Sequence, residues 1–595
     1  MKRRSTRYLL LVVLAILVVS MVGTAREENP PEEPQVVPIG RNDSLWEMDE
    51  LVPGEPGGEV QYSTDSFPNT FNNLLGKNKE TKDVTKMIMG SGLTAVNPVN
   101  GRIVPAFAKS WSVSDDGRVY TFNLREGLKF SDGQPLTAED VVFTYEELIF
   151  NPEVNSERID IIRLEGELPE LEVIDTSTVK FKLPEPHGPF LREVSTGIYP
   201  KHKLAGITGE EFNKIWNKET AAENPKEIVG AGPFQLKEFS PGEEIILTRN
   251  PHYYKVDSQG TQLPYLDRYR VVRVKDNIVE FLNFRSGKTD FLRPQIRDMP
   301  YLLSHAAQED WNLLTGEGNR SAPLNSNFLT FNWNTERKDL NELFRKSDFR
   351  RAVSLAIDTE DIVEEVFNGF GQPQYGPISR LSPYHKSNLK NMLSDKYNPE
   401  AAREILAELG INDSDEDEVR EMNSGKPVRF SILVNNENLV RTEMAEIIAR
   451  GLKNIGLKVE VESFEFEDYS SRLINGNFQS AISSALVNPR EPATLFDIFT
   501  SGGPLHLWNL GPDRTLTEWE KEINQLFRNG LKANGFQERK KYYDRFQELF
   551  AEKLPVIYLP GERFIYATGS SVRNWEEFNR LGTFLDFAEF IWVEE

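Results

Sequence analysis

The chain has 595 residues, a formal charge of −23, 39% hydrophobic and 27% charged residues, and no cysteine. That length exceeds one hydrophobic core, the balance is globular, and the acidity argues against a nucleic-acid partner. The missing cysteine excludes disulfides, thiol nucleophiles, Cys-ligated metals and a lipid-bearing cysteine anchor.

Lys2, Arg3, Arg4 and Arg7 precede an apolar run from Leu9 to Val22 and the small residues Gly23-Thr24-Ala25. This is the layout of a secretory signal over 1–25, with an uncleaved membrane anchor as the alternative, and either one exports the protein. Residues 26–58 are rich in Pro and Glu without periodicity and read as an extended linker. A first strand is expected from Glu59.

Between 101 and 146 the pattern predicts a β-β-α unit. Asp116-Gly117 makes a turn, and Tyr120, Phe122 and Leu124 then alternate at the period of a strand. Asp132-Gly133 makes a second turn. Thr137, with Asp140 three residues on, opens a helix whose apolar face is Val141, Val142, Tyr145, Leu148 and Ile149. Another strand is predicted at Thr178–Leu183. A hairpin follows from Gly230 to Asn250, turning at Pro241-Gly242; its Gly-Ala-Gly lacks the third glycine of a dinucleotide loop and runs into Pro233.

Residues 328–333 read as a strand, followed by helices around Ala352–Ile357 and, capped by Asp358 or Thr359, Ile362–Phe367. Asn398-Pro399 opens a further helix that Gly410 stops. Val428 to Val434, Met444 to Ile455 and Leu457 to Val461 spell strand, helix, strand, a crossover that requires a parallel sheet. A helix at Lys541–Phe550 and a buried strand at Leu554–Leu559 close the series.

Motifs for chemistry are few. The six histidines show no i, i+4 pair, and there is no Gly-x-Ser-x-Gly elbow and no P-loop lysine. Asp413, Asp415 and Asp417 alternate like the first ligands of a calcium loop. Glu418 stands where glycine belongs and Ser424 where the twelfth-position acid belongs, so the reading is an acidic surface turn. No cofactor and no metal are expected.

The run Gly101-Arg102-Ile103-Val104-Pro105-Ala106-Phe107-Ala108-Lys109-Ser110-Trp111, continued through Lys129-Phe130-Ser131-Asp132-Gly133 to Val141, resembles the signature of family 5 extracellular solute-binding proteins, which serve ABC importers. The block Gly230–Tyr254 resembles a second segment of that family. The resemblance implies an α/β class II periplasmic-binding-protein fold, not an enzyme: a monomeric receptor that closes on a solute by hinge rotation and delivers it to a membrane permease. It implies lobe I over 59–90, 191–325 and 554–595, an extra lobe II over 91–190, and lobe III over 326–553. Ala485 to Phe496 resembles the segment in which an aspartate receives a peptide's α-ammonium. That position is Asn488 here, with Glu491 nearby at a different spacing. A neutral amide compensates a buried ammonium less well than a carboxylate does, which leans the ligand from peptide toward an uncharged solute such as an oligosaccharide. Phe67, Trp333 and Trp508, beside Asn69, Asn332, Asn334, His506 and Asn509, are the candidate ligand-facing aromatics, with core packing as the competing account. An exported glycosidase- or peptidase-like hydrolase and an exported chaperone-like binder remain the alternatives.

Overall fold

The computed structural model describes residues 52–594 apart from 77, 98–102, 157, 160–162, 165, 316–325, 381, 389–396, 486–490, 512–513, 534, 564 and 576–586. The expected signal segment, most of the linker and Asn488 therefore lie outside the described residues. The chain divides into two units. One comprises the described residues of Val22–Arg320, Leu531–Glu538 and Ile565–Glu595; the other comprises those of Ser321–Gly530 and Arg539–Phe564.

In the first unit, β1 (Glu59–Thr64) begins where the linker was expected to end. The β-β-α stretch supplies β2 (Ala108–Val113), β3 (Val119–Leu124) and α1 (Ala138–Phe143). Tyr120, Phe122 and Leu124 of β3 are buried while their alternates are half-exposed. With β4 (Glu170–Asp175) and β5 (Thr178–Lys182) these strands form an antiparallel sheet in the order β2-β3-β5-β4. At the predicted helix start, Asp140 accepts from the Thr137 backbone N–H at 2.8 Å. The helix then departs from expectation, widening into a π-helical turn at Thr144–Ile149. The Thr144 hydroxyl donates to the Asp140 carbonyl at 2.7 Å and accepts from the Tyr199 N–H at 2.8 Å. It thus competes for a carbonyl of the regular helical ladder.

The predicted hairpin is β6 (Phe234–Ser240) and β7 (Glu244–Arg249), and Gly242 at its turn has φ of 85°. With β8 (Arg268–Arg273), which runs parallel to β1, they form a sheet in the order β1-β8-β7-β6. Gly230 and Gly232 have a packing reason. A Cβ on Gly230 would collide with the Ile88 carbonyl oxygen, and one on Gly232 with those of Met87 and Ile88, so these glycines admit a helix backbone rather than a phosphate.

The second unit is built on a mixed five-stranded sheet. Its strands are β9 (Ser326–Phe331), β11 (Arg429–Asn435), β12 (Lys458–Phe464), β13 (Ser480–Ala485) and β14 (Val556–Tyr558), with β10 (Gly371–Gln372) lying outside it. The order is β12-β11-β13-β9-β14. The crossover read from the sequence is present: α2 (Leu439–Asn454) joins parallel β11 and β12, and buries Met444, Ala445, Ile447, Ile448 and Leu452 against them. α3 (Phe466–Asn475) returns the chain to β13, parallel to β11 on its other side. β9 is buried along its whole length, as a central strand must be, and runs antiparallel to both β13 and β14. That pairing corrects one expected boundary. The strand after Leu554, assigned to lobe I on the resemblance, hydrogen-bonds into the sheet of lobe III. The short β10 pairs with β15 (Gly561–Glu562), which follows β14 closely.

The expected capped helices are also in place. Asp358 accepts from Glu360 and Asp361 N–H groups at the start of Thr359–Glu365, and Asn398 accepts from Ala401 at the start of Pro399–Glu408.

Candidate functional site

Parallel strands joined by crossovers present their carboxyl ends, and the loops that leave them, along one edge of a sheet. Ligands of open α/β sheets bind at the point where those connections diverge. Here β12, β11 and β13 stand in the 2-1-3 order, so the divergence lies between β11 and β13. The chain leaves β11 toward α2 and leaves β13 toward residues 486–490. Ser326 at the amino end of β9 pairs with Ala485, and Phe328 pairs with Tyr558, which puts the carboxyl end of β14 on this same edge.

The described side chains at this edge are short and polar. Asn435 ends β11 and accepts from the Glu437 N–H at 3.0 Å; Asn436 and Glu437 are exposed. Asn438 caps α2, its side chain accepting from Arg441 N–H at 3.1 Å. Arg441, in the first turn of α2, donates through Nη2 to the hydroxyl of Ser484 on β13. A guanidinium in the first turn works against the helix dipole, so its placement is not for helix stability. Tyr469 of α3 donates to the Ile482 carbonyl at 2.8 Å and fixes the neighbouring strand. Asn327 bonds the Pro560 carbonyl at 3.4 Å, tying the segment after β14 to this edge. Amides, hydroxyls and one guanidinium can hold a polar solute; no nucleophile–base pair stands among these residues.

Of the residues singled out in the sequence, Asn488 falls in the segment leaving β13, outside the described residues. Glu491 closes that segment and is 2% exposed. It accepts from Ala493 N–H at 3.0 Å and forms a bidentate pair with Arg539, whose Nη1 reaches Oε2 at 3.0 Å. Burial opposes the charge on Arg539, but Glu491 beside it holds the guanidinium well above its ordinary range. Arg539 also donates to the Tyr384 hydroxyl and the Gly530 carbonyl, each at 3.0 Å. Glu491 is thus committed to an internal partner and anchors the chain at the residue after 490; it is not a free carboxylate awaiting an ammonium.

Trp333 and Trp508 are interior residues, 1% and 0% exposed, with ring centroids 6.4 Å apart. Asn332 spends its amide donating to the Gly476 and Phe478 carbonyls at 2.8 and 3.1 Å. Phe67, in the other unit, is buried against Phe239 at 6.0 Å. All four serve cores in this structure, the competing account for the aromatics. Flat rings beside amides are equally what a tightly packed polar-capped core contains.

A residue that the sequence reading passed over organises this core. Glu520, 1% exposed, accepts from Trp508 Nε1 at 3.1 Å, Asn509 Nδ2 at 3.0 Å and Thr517 N–H at 2.7 Å, and lies 3.2 Å from His506 Nε2. Burial raises its pKa, but these hydrogen bonds, His506 foremost, win and hold the carboxyl at about 2. The signal was legible: Thr517-x-x-Glu520 is the spacing of a capping box, and Glu520 N–H donates back to Thr517 Oγ1 at 3.3 Å. The acidic turn has also gained a member. Carboxylates of Asp413, Asp415, Asp417 and Glu421 lie within 4.8 Å of one another. Glu421 already accepts from the Ser414 N–H and hydroxyl, Asp413 from Glu418 N–H, and Asp417 from Val419 N–H, which is the wiring of a turn.

Comparison with known proteins agrees with this architecture. The family model described as bacterial extracellular solute-binding proteins, family 5 Middle, matches residues 102–505. A probable ABC transporter-binding protein of Deinococcus radiodurans is 27% identical over 84% of this chain and 86% of its own length. The oligopeptide-binding protein AppA of Bacillus subtilis is 26% identical over 94% of each chain. The solved periplasmic binding protein MelB of Agrobacterium fabrum, in complex with stachyose, superposes with a TM-score of 0.65 at 22% identity, covering 91% of this chain and 86% of that one. With more than half its length matched by the family model, the chain belongs to the bacterial extracellular solute-binding proteins of family 5.

Proposed function

We propose that this protein is the exported receptor of an ABC importer and holds an oligomeric solute, a peptide or an oligosaccharide, at the β11/β13 edge of its five-stranded sheet. Its family consists of substrate-binding proteins rather than enzymes. The observation that carries the location is the 2-1-3 strand order, with Asn435, Asn436, Arg441 and Ser484 at the divergence point. AppA is named for oligopeptides and MelB was solved with stachyose, so both ligand classes stand behind the proposal.

Asn488, in place of the carboxylate that would receive an ammonium, favours a solute whose bound end is uncharged. Reversible, stoichiometric capture without turnover is the expected chemistry, by a monomer that a membrane permease then recognises. The basic, apolar and small-residue series at 1–25 supports export by a cleaved signal, with 26–58 as a tether. Thermal-shift screening of the mature protein against peptide and oligosaccharide collections tests the reading. Stabilisation by one class supports it; turnover of either, with no stabilisation by intact substrate, would replace it with a hydrolase.

A further inference from the structure

The short ribbon β10/β15 follows the carboxyl end of β14, on the edge proposed above to hold the solute. β14 runs in the same direction as β11 and β13, since all three are antiparallel to β9 or parallel to one another. The chain leaves the carboxyl end of β14 at Tyr558, is held to β9 by Leu559 N–H donating to the Asn327 carbonyl at 2.9 Å, and enters β15 at Gly561. The ribbon's register then fixes which side chains share a face. Gln372 is opposite Gly561, and Arg563 N–H donates to the Phe370 carbonyl at 3.1 Å, continuing the ladder. Residues two apart in a strand share a face, so Gln372 and Arg563 stand on one side, as diagonal neighbours about 7 Å apart. Gly561 contributes no side chain between them, the circumstance in which a strand glycine admits a close visitor.

Both flanking side chains carry buried polar atoms without a partner among the described residues. Gln372 is 5% exposed and its Oε1 accepts nothing; Arg563 Nε donates to nothing. A short way along the chain, Gln374 gives its amide N–H to the Gly376 carbonyl at 2.9 Å and leaves its own Oε1 equally unmet. A donor or acceptor buried unmet keeps its full desolvation cost, and here an unmet acceptor and an unmet donor share one face of the ribbon. We propose that this ribbon is a recognition wall of the solute site, on which Gln372 Oε1 accepts from, and Arg563 Nε donates to, one uncharged group of the solute that both gives and takes a hydrogen bond.

A peptide amide and a sugar hydroxyl share that chemistry. A carboxylate does not, because it has nothing to offer Gln372; an ammonium does not, because it cannot accept from Arg563. The inference rests on the solute-binding reading above and deepens it, since it names what this wall grips: the repeating neutral backbone of the solute rather than a charged terminus.

The test is isothermal titration of the full mature protein with two probes, an acetylated and amidated nonapeptide pool and stachyose, for wild type, Gln372→Ala, Arg563→Lys and the double variant. Arg563→Lys keeps the charge and removes the Nε–H. For whichever probe the wild type binds, each single variant should weaken binding about tenfold, with the melting midpoint near that of wild type. The double variant should lose less than the product of the two, because both atoms hold one group. Loss for the nonapeptides identifies an amide and loss for stachyose a hydroxyl. Should Gln372→Ala fold poorly, Gln372→Met, of similar volume and without the acceptor, replaces it. Affinities within twofold of wild type in either folded single variant, or losses that multiply, overturn the inference. A wild type that binds neither probe removes the functional reading itself, and this inference with it.

Discussion

Replacing Glu520 by glutamine removes the one ionised acceptor on which Trp508, Asn509, Thr517 and His506 converge. The carboxyl lies at about 2 in the folded protein against an ordinary 4.5, and at about 1.4 kcal/mol per pH unit that difference is worth about 3 kcal/mol. Because the folded value is the lower one, the contribution is complete above 4.5 and is lost as pH falls through about 2. Urea unfolding of wild type and Glu520→Gln, followed by tryptophan fluorescence, should therefore show a stability gap of about 3 kcal/mol at pH 7, shrinking to about half that at pH 3. The substituted amide can still accept from Trp508 and Asn509, so the informative quantity is the narrowing rather than the absolute gap. A gap that stays constant from pH 7 to pH 3 would refute the assignment of Glu520 as a depressed, charge-bearing hub.

Glu491→Gln leaves the Arg539 guanidinium buried without its counter-charge, and should cost about 3–5 kcal/mol in chemical denaturation, largely recovered in the double variant Glu491→Leu/Arg539→Met; a loss below about 1 kcal/mol contradicts the pairing. Trp333→Ala and Phe67→Ala should each cost about 3–5 kcal/mol of stability, while solute affinity measured well below the melting range stays within a few-fold of wild type; a selective loss of affinity would return them to the binding surface. Asn488→Asp should tighten binding of peptides with a free amino terminus and leave oligosaccharide affinity unchanged, as read by titration calorimetry, and no change with any solute would remove Asn488 from the site.

How much of this was legible before any coordinates depends on whether a signal is local. Tyr120, Phe122 and Leu124 announce β3 because a strand's two faces differ in burial. Asn398-Pro399 announces a helix start because capping is settled within a turn. The β11-α2-β12 crossover follows from periodicity alone, and its parallel pairing was required by its length. What escaped was set by tertiary context. The π-helical turn after Phe143 depends on Tyr199 reaching back to Thr144 across more than fifty residues. The sheet membership of Val556–Tyr558 is decided by β9, more than two hundred residues earlier. At the site, residue types suggested aromatics beside amides, but type does not distinguish a ligand-facing ring from a core ring: Trp508 is tied down by Glu520, a partner visible only as a capping-box spacing. Gln372 and Arg563 carried no sequence signal at all, since their common face exists only through the register of a two-residue ribbon.

The central claim is reversible capture of a polar solute by the unit carrying the 2-1-3 sheet, and native mass spectrometry of the freshly purified protein tests it most directly. The account predicts a single peptide or oligosaccharide at one per chain, released intact on mild denaturation and rebound on refolding. A protein that carries nothing, binds neither class when supplied, and converts either into smaller products would contradict it.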